Sequence, residues 1–324
     1  MNMRDAHQML ATVGLILVIA FALQLATLPP AGIAIVLVVL AVVLIGLYLH
    51  GRAQAKAGAA SPAPQVREIA SPDGEPVRVL ESDGVYQSAT YLDERRFEPV
   101  FAYQRAFEVM FEVEDEMRAA CGHGIERALA IGGGGFAWPK YTLTRHPELM
   151  LDVVESDPSV IELAQRWFFV DELKRQVGGR LYIMEADGRE LIDELAPGME
   201  FAATPTAVHC RAPYDAVVND TFSGAEPVLA LATVEAARSV RATLRPGGLY
   251  LTNVVSREEG RDLAFLRDEA ATLAEVFAHV HIIPATDELW GGEDNYLIIA
   301  TDGAYTFTDA IPFDEDFLGT PLRD

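Results

Sequence analysis

The hydrophobic positions begin with two long apolar runs and continue as short runs separated by polar segments. The long runs are residues 9–27 and 31–49; they contain no charged side chain, and Leu28-Pro29-Pro30 separates them. Each run is long enough to cross the hydrocarbon core of a bilayer as a helix. We therefore predict two transmembrane helices within residues 1–50, arranged as a hairpin.

The charges beside these runs predict an orientation. Arg4 precedes the first run, Arg52 and Lys56 follow the second, and the turn between the runs is uncharged. Basic residues favour the cytoplasmic side of a membrane. A second full-length run directly after the first is not typical of a cleaved signal peptide. We expect a multi-pass protein of the cell membrane, with two helices and a cytoplasmic catalytic domain.

Residues 51–76 are rich in Ala, Pro, Gly and Ser without sustained periodicity, which predicts a linker. Two strand-like runs follow, residues 77–81 and 85–90, around the turn signal Ser82-Asp83-Gly84. Apolar residues at helical spacing then predict a helix over residues 99–113. Residues 77–115 should therefore form a β-hairpin and a helix.

Strand and helix patterns alternate after this segment. The predicted strands are residues 127–131, 150–154, 180–184, 216–219 and 249–254, with a final pair at 280–283 and 296–300 that includes an antiparallel edge. The predicted helices are residues 158–169, 189–195, 227–244 and 259–277. Such alternation indicates an α/β fold with parallel strands, here a Rossmann-like domain over residues 116–308. Residues 197–213 look like an insertion loop, and the tail, residues 309–324, shows no usable pattern.

The formal net charge is −23, and no run of Lys and Arg occurs. This excludes the basic patches with which proteins bind nucleic acids. Acidity of this kind attracts a cationic substrate, although acidic residues that only keep the surface soluble are the simpler explanation. The two cysteines and the scattered His146, His209 and His281 lack metal-ligand spacing, so we expect no metal.

Four positions at predicted strand ends carry candidate binding chemistry. A glycine run, Gly132, Gly133 and Gly134, follows the first parallel strand, where main-chain amides can approach a ligand closely. Glu155 ends the next strand, where an acid in such folds takes ribose hydroxyls. Asp187-Gly188 follows the third strand, and Asp220 follows the fourth. A helix cap is the alternative interpretation of Asp187.

As an ordered set, these motifs resemble the spermidine synthase branch of the class I methyltransferase fold. Glu155-x-Asp157-Pro158, Asp187-Gly188-Arg189, Tyr214-Asp215 and Arg245-Pro246-Gly247-Gly248 occur in that family's order, and Asp83 to Ser88 resembles its N-terminal hairpin.

The resemblance implies S-adenosylmethionine or its decarboxylated form as co-substrate. Gly132, Gly133 and Gly134 would lie against its amino-bearing chain, Glu155 at the ribose, Asp187 with Gly188 at the adenine, and Gln87 over the thioether. Asp220 would be the catalytic base that positions a small-molecule acceptor. The resemblance further implies a homodimer.

Three positions depart from the family pattern. Gly135-Phe136 stands where the family has Asp-Gly, so the acid that orients the donor's amine is missing. Phe97-Glu98-Pro99 is the nearest counterpart of a Tyr-His-Glu stretch, and Gly224 replaces a second acid after Asp220. Aminopropyl transfer to a polyamine needs such acids.

Several functions therefore stay open. The family implies aminopropyl transfer to a polyamine, whereas the missing acids favour methyl transfer to another acceptor. A non-catalytic nucleoside-binding module tethered to the membrane is a further hypothesis, and so is a structural protein that has lost its ligand. Trp290, Tyr103 and Arg105 are additional candidates for the wall of an acceptor pocket.

Overall fold

The structure is a computed structural model that describes residues 63–82, 84–196, 210–223, 226–257, 263–286, 289–290, 293–313 and 319–324. These residues belong to one compact unit. The predicted transmembrane runs, residues 9–27 and 31–49, lie outside them, as does most of the predicted insertion loop. Within these ranges, no helix has the length and apolar character needed to cross a bilayer. The transmembrane hairpin stays a prediction.

A three-stranded antiparallel sheet opens the described fold. Its strands are β1 (Gln65–Ala70), β2 (Pro76–Ser82) and β3 (Val85–Tyr91), in the order β1-β2-β3. The predicted hairpin corresponds to β2 and β3. The predicted linker is wrong over residues 65–70, because β1 pairs along its whole length with β2. No side chain of β1 is buried, so its sequence lacks the alternation of apolar and polar residues that predicts a strand.

The helical connection after this sheet begins later than predicted and continues further. It consists of α1 (Tyr103–Ala106), a 3-10 segment (Phe107–Val113) and α2 (Glu114–Cys121). Residue Pro99 instead forms a single β-bridge to Thr90 of β3. The bridge keeps the start of the predicted helix extended.

An eight-stranded sheet forms the centre of the domain. Its strands are β4 (Arg127–Ile131), β5 (Met150–Glu155), β6 (Leu181–Glu185), β7 (Tyr214–Asn219), β10 (Leu244–Arg257), β11 (His279–Pro284), β12 (Glu293–Thr301) and β13 (Ile311–Pro312). The order is β13-β11-β12-β10-β7-β4-β5-β6, and a separate short pair joins β8 (Phe222–Ser223) to β9 (Glu226–Pro227). Strands β4, β5, β6, β7 and β10 are parallel, whereas β11, β12 and β13 pair antiparallel. The predicted alternation and its antiparallel edge are confirmed.

Helices cover both faces of this sheet. They are α3 (Ala137–Arg145), α4 (Pro158–Trp167), α5 (Val170–Val177), α6 (Gly188–Leu195), α7 (Val234–Thr243) and α8 (Ala264–Ala274). The helix predicted over residues 158–169 is shorter, because Phe169 adopts a left-handed conformation (φ 62°) and a second helix starts after it. Alternate residues of β4 pack into two hydrophobic cores, one on each face of the sheet. Ala128 and Ala130 belong to one core, and Leu129 and Ile131 belong to the other.

Strand β7 pairs with β4 on the side opposite to β5 and β6, the two strands that come between β4 and β7 in the chain. The chain therefore reverses its direction of sheet growth between them. Ligands of open α/β sheets bind in the crevice at the carboxyl ends of the strands at such a reversal. The glycine run after β4 and Asp220 after β7 both lie at this point.

The tail has more structure than its sequence indicated. Residues 311–312 add strand β13 to the sheet edge, and residues 319–324 lie across helices α6, α7 and α8. The main-chain oxygen of Leu322 accepts a hydrogen bond from Val234 N (2.9 Å), and Arg189 holds the Asp324 carboxylate with two nitrogens at 2.8 and 2.6 Å. The tail thus closes over the start of α6.

Candidate functional site

The glycine run after β4 makes a turn that only glycine fits at its first position. Gly132 has φ +93°, and its amide donates to the Val154 carbonyl oxygen at 2.9 Å. A Cβ atom on Gly132 would lie 2.5 Å from the main-chain oxygen of Asp220. Any larger residue would push the loops after β4 and β7 apart. Two predicted site elements, the glycines and Asp220, are therefore in direct contact.

The Glu155 side chain turns towards the glycine run. Its Oε2 accepts hydrogen bonds from Gly133 N (2.9 Å) and Gly134 N (3.1 Å), and its Oε1 accepts one from Asp157 N (3.0 Å). A carboxylate offers about four acceptor positions, so one remains for a ligand hydroxyl. The structure brings Glu155 and Gly133 together as predicted, and the contact with ribose stays a prediction.

The Asp187 side chain caps helix α6. Its Oδ1 accepts from Arg189 N (2.8 Å) and Glu190 N (3.0 Å), and it is exposed. Its Oδ2 makes no hydrogen bond to the described residues, so a role at an adenine amino group remains compatible with the cap. A Cβ on Gly188 would collide with the Ile131 side chain at the end of β4. Gly188 is thus required for close packing beneath the predicted adenine position.

Strand β3 lies over the glycine run. A Cβ built on Gly134 would be 3.9 Å from the Gln87 carbonyl oxygen and 3.9 Å from the Ser88 Cβ. The N-terminal sheet therefore forms one wall of the candidate site. The predicted contact of the Gln87 side chain with a thioether remains a prediction.

Asp220 sits at the tip of β7, held by three elements. Its amide donates to the Ile131 carbonyl oxygen (3.0 Å), Asn253 Nδ2 donates to its Oδ1 (3.0 Å), and the Tyr103 hydroxyl donates to its Oδ2 (3.3 Å). Burial raises the pKa of Asp220 to about 6, although the hydrogen bonds from Asn253 and Tyr103 act in the opposite direction. At neutral pH the carboxylate is ionised and more basic than an exposed aspartate.

The stretch Tyr103-Gln104-Arg105 lies at the candidate base, since Tyr103 contacts Asp220 directly. The Glu98 side chain instead contacts Arg145, and Phe97-Glu98-Pro99 as counterpart of the Tyr-His-Glu stretch stays a prediction. Gln104 is 4% exposed, and its Oε1 has no hydrogen-bond partner among the described residues. This orphaned acceptor fits an N–H donor of a bound molecule.

The third residue of this stretch is a cation, Arg105. Its guanidinium donates to the Pro99 carbonyl oxygen at 2.9 Å, and the residue is exposed. A cation at this place disfavours a polycationic acceptor.

Trp290 belongs to an aromatic cluster on the same side. Its ring meets Phe101 edge-to-face at 5.1 Å and Tyr86 at 6.0 Å, and Phe101 stacks on Tyr103 at 6.4 Å between ring centroids. The cluster connects Trp290 to the hydroxyl that contacts Asp220. This placement favours the predicted acceptor wall over an unrelated loop.

The replacement of the family's Asp-Gly by Gly135-Phe136 has a steric basis. A Cβ on Gly135 would lie 2.5 Å from Ser88 Oγ and 2.8 Å from the Phe168 ring. Phe136 adopts a left-handed conformation (φ 55°) and is fully buried. No side chain at position 135 fits without displacing its neighbours. The other replaced acid, at Gly224, lies outside the described residues.

Two polar residues near the site were not recognised from the sequence. Asn253 follows Thr252 within the apolar stretch 249–255 of β10, and this polar pair was the available signal. Lys140 is fully buried in α3, its Nζ donates to Thr90 Oγ1 at 3.0 Å, and burial lowers its pKa to about 7. A lysine one helical turn after a glycine run was the corresponding signal.

The described residues contain no group of His, Cys, Asp and Glu able to hold a metal ion. His146, one of the scattered histidines, contacts Glu108 at 2.8 Å and stacks on Phe111. His123 lies between Asp215 and the Pro246 carbonyl oxygen. Both contacts support the packing of neighbouring elements.

Comparison with known proteins adds two kinds of relatives. No protein-family model matches the chain. The chain is 31% identical over 139 residues to the human eEF1A lysine and N-terminal methyltransferase, covering 41% of this chain and 18% of that protein. It is 27% identical over 172 residues to polyamine aminopropyltransferase 2 of Hyperthermus butylicus, covering 51% and 50%. The chain thus spans half or less of these curated relatives.

Among solved structures, the fold is similar to a probable spermidine synthase from Corynebacterium glutamicum. The TM-score is 0.57 at 22% identity, covering 76% of this chain and 80% of the other. A spermidine synthase from Thermotoga maritima gives a TM-score of 0.54 at 19% identity, covering 80% and 75%. At these identities the comparison establishes the fold, which agrees with the resemblance identified from the motifs.

Proposed function

We propose that this spermidine synthase-like protein of the class I methyltransferase fold transfers an alkyl group from an adenosyl sulfonium nucleoside to an amine. The observation that carries the proposal is Asp220, a carboxylate with a pKa of about 6 in contact with the glycine run at the point where the sheet reverses. Glu155, Gly133 and Gly134 lie together in the neighbouring part of the crevice and would bind the nucleoside.

The residues of this chain would perform three tasks. The glycine run and Glu155 would hold the nucleoside, and Asp187 would fix its adenine. Tyr103 and Asn253 orient the Asp220 carboxylate, which would align an acceptor amine and take its proton. A bond forms between the amine nitrogen and the transferred carbon while the bond from that carbon to sulfur breaks. The thioether leaves with the electron pair, and the positive charge on sulfur disappears.

Aminopropyl transfer to a polyamine is the first candidate reaction. Half of this chain is similar in sequence to polyamine aminopropyltransferase 2 of Hyperthermus butylicus, and the two spermidine synthases have the same fold as this chain. The net charge of −23 also attracts a polycation. The donor would be decarboxylated S-adenosylmethionine.

Methyl transfer is a second candidate, and two observations favour it. Position 135 has no room for an acid that would orient the donor's amine, and Arg105 stands where the acceptor side would need an acid. The human relative carries the name eEF1A lysine and N-terminal methyltransferase. The donor would then be S-adenosylmethionine, and the acceptor need not be a polycation.

The proposal is tested with the full chain in detergent. Titration calorimetry with S-adenosylmethionine, its decarboxylated form and methylthioadenosine measures binding, and incubation with putrescine followed by mass analysis detects spermidine. Binding of at least one nucleoside together with transfer to an amine supports the proposal. Binding without any transfer would leave a nucleoside-binding module, and no binding at all would end the proposal.

We propose further that the domain is held at the cytoplasmic face of the cell membrane by residues 1–50. The two uncharged apolar runs and the basic residues beside them support this. Cell fractionation would place the chain in the membrane pellet, and removal of residues 1–50 would release it. A homodimer through the N-terminal sheet is proposed on the resemblance, and light scattering measures it.

A further inference from the structure

A buried cation lies beside the glycine run without an acidic partner among the described residues. Lys140 is 0% exposed, and the one hydrogen bond from its Nζ goes to the neutral Thr90 hydroxyl at 3.0 Å. Burying an unpaired charge is costly, so such a group is either neutral or waits for an anion. Lys140 has no part in the chemistry assigned to Asp220.

A buried hydroxyl without a hydrogen-bond partner among the described residues lies beside the glycine run. Ser88 is 2% exposed, and its Oγ has no hydrogen-bond partner among the described residues. The same oxygen would be 2.5 Å from a Cβ on Gly135. Ser88 and Thr90 are two positions apart on β3 and therefore face the same side, about 7 Å apart. The residues Ser88, Thr90 and Lys140 thus form one row that starts at Gly135. The Thr90 hydroxyl accepts from Lys140 and donates to the Arg96 carbonyl oxygen (3.0 Å), so the Ser88 hydroxyl and the Lys140 amine are the donors left for a ligand.

The positive charge in this row is opposite to the negative charge that would bind a decarboxylated donor. The free end of decarboxylated S-adenosylmethionine is an ammonium group, and an acid would bind it. S-adenosylmethionine carries a carboxylate beside its amine. Hydroxyl and ammonium donors bind carboxylates, and charge-assisted hydrogen bonds of this kind are among the strongest in proteins. The Lys140 cation and the Ser88 hydroxyl match this carboxylate, and position 135 supplies no acid for an ammonium group.

We infer that Ser88 and Lys140, with Thr90 holding the lysine in place beside Gly135, form the subsite for the carboxylate of S-adenosylmethionine and select it over the decarboxylated donor. The inference rests on the proposed function and decides between its two candidates, in favour of the donor that retains its carboxylate. Lys140 and Ser88 are specificity-determining residues in this account, and Asp220 remains the group at the acceptor.

Binding measurements test the subsite independently of turnover. The full chain in detergent is titrated with S-adenosylmethionine, its decarboxylated form and methylthioadenosine, which has neither carboxylate nor amine. The wild-type chain should bind S-adenosylmethionine roughly tenfold or more tightly than the decarboxylated form. Lys140→Met should remove most of this difference and change methylthioadenosine affinity by less than about twofold.

Two further variants distinguish a subsite from a structural role. Lys174→Met removes the exposed lysine of α5 and should change none of the three affinities. Ser88→Ala is a minimal change that should lower the affinity for S-adenosylmethionine alone, by roughly three- to tenfold, since one hydrogen bond is lost. This variant tests the inference even where Lys140→Met does not fold.

Several results would overturn the inference. One is that the wild-type chain binds the decarboxylated donor more tightly than S-adenosylmethionine. The others are that Lys140→Met loses affinity for all three nucleosides equally, or that Ser88→Ala leaves all three affinities unchanged. In each of these cases nucleoside binding by the wild-type chain persists, so the proposed function stands. Absence of binding of every nucleoside to the wild-type chain is the separate result that removes the proposed function itself.

Discussion

The Tyr103 hydroxyl donates a hydrogen bond to Asp220 Oδ2 across 3.3 Å, which joins helix α1 of the N-terminal segment to the tip of strand β7. The two residues are far apart in the sequence, and the contact makes the N-terminal segment part of the candidate site. Tyr103 supplies a neutral donor that stays protonated, because burial and the neighbouring Asp220 carboxylate raise its pKa well above its usual value. Tyr103 can therefore donate its hydrogen bond to the Asp220 carboxylate, and so orient it, at any physiological pH.

Asp220→Asn is expected to abolish transfer while nucleoside binding persists. An amide cannot accept the amine's proton, and loss of a general base costs roughly 10²- to 10⁴-fold in rate. Turnover and calorimetry measure the two properties separately. Asp171→Asn, a change at an exposed position of α5, is the control. Turnover within threefold of wild type in Asp220→Asn would remove Asp220 from its proposed role.

The same substitution is expected to stabilise the fold at neutral pH. The pKa of Asp220 is about 6 in the fold against 3.8 as the ordinary value, so the folded state binds the proton more tightly and stability falls as the pH rises through that window. Asparagine does not ionise and avoids this loss. Above pH 6, Asp220→Asn should be more stable than the wild type by about 1–3 kcal/mol in urea denaturation. At pH 4 the difference should largely vanish, and a constant difference across this range would contradict the assignment.

Tyr103→Phe is expected to shift the pH dependence of the reaction. The hydrogen bond from Tyr103 lowers the pKa of Asp220, so its removal raises that pKa. The acidic limb of the kcat/KM profile, where activity is lost as the pH falls, should move to higher pH by up to about one unit. Tyr141→Phe on helix α3 leaves Asp220 untouched and should leave the profile in place. An unmoved limb in Tyr103→Phe would show that the hydrogen bond does not act on the base.

Glu155→Gln is expected to weaken nucleoside binding at least tenfold. Its carboxylate accepts three main-chain N–H groups, and the glutamine NH₂ group would face one or two of these donors without an acceptor. Calorimetry measures the affinity, and thermal unfolding measures the accompanying loss of stability, about 1–3 kcal/mol. Glu185 pairs with Glu155 at the end of the neighbouring strand and is exposed, so Glu185→Gln is a matched control. Equal effects of the two substitutions would argue against a special role for Glu155.

Gly135→Ala is expected to destabilise the fold by about 1–3 kcal/mol, because its Cβ would overlap Ser88 and Phe168. Adding Ser88→Gly should recover part of this loss, which a double-mutant cycle in urea would show as coupling between the two positions. A Cβ on Gly179 meets no atom within 4 Å, so Gly179→Ala is the control. Additive effects at positions 135 and 88 would show that they do not share the space.

The central sheet could be predicted because its strands are buried on both faces. Strand β4 is apolar after Arg127, and Asp152 alone interrupts the apolar run of β5 before Glu155. The ends of these two strands determine where the glycine run and Glu155 must lie. Strand β1 could not be predicted, because it is stabilised by main-chain pairing and buries no side chain. The break between α4 and α5 depends on a left-handed Phe169, which no local pattern indicated.

The site was predicted less completely than the sheet. Spacing identified the glycines, Glu155 and Asp220, because each directly follows a strand. Asn253 and Lys140 were missed because their burial depends on partners far away in the sequence, Asp220 and Thr90. The contact between Tyr103 and Asp220 likewise emerged only from the fold, because the two residues are far apart in the sequence.

The closing contact between Arg189 and Asp324 couples the last residues of the described fold to the turn that carries Asp187. Residues 319–324 also join α8 to α7, through Thr320 and Asp268 and through Leu322 and Val234. Segments tied in this way open together in native-state hydrogen exchange. Fraying at the C terminus would therefore loosen the adenine end of the crevice first and leave Asp220, on the other side of the strand tips, protected.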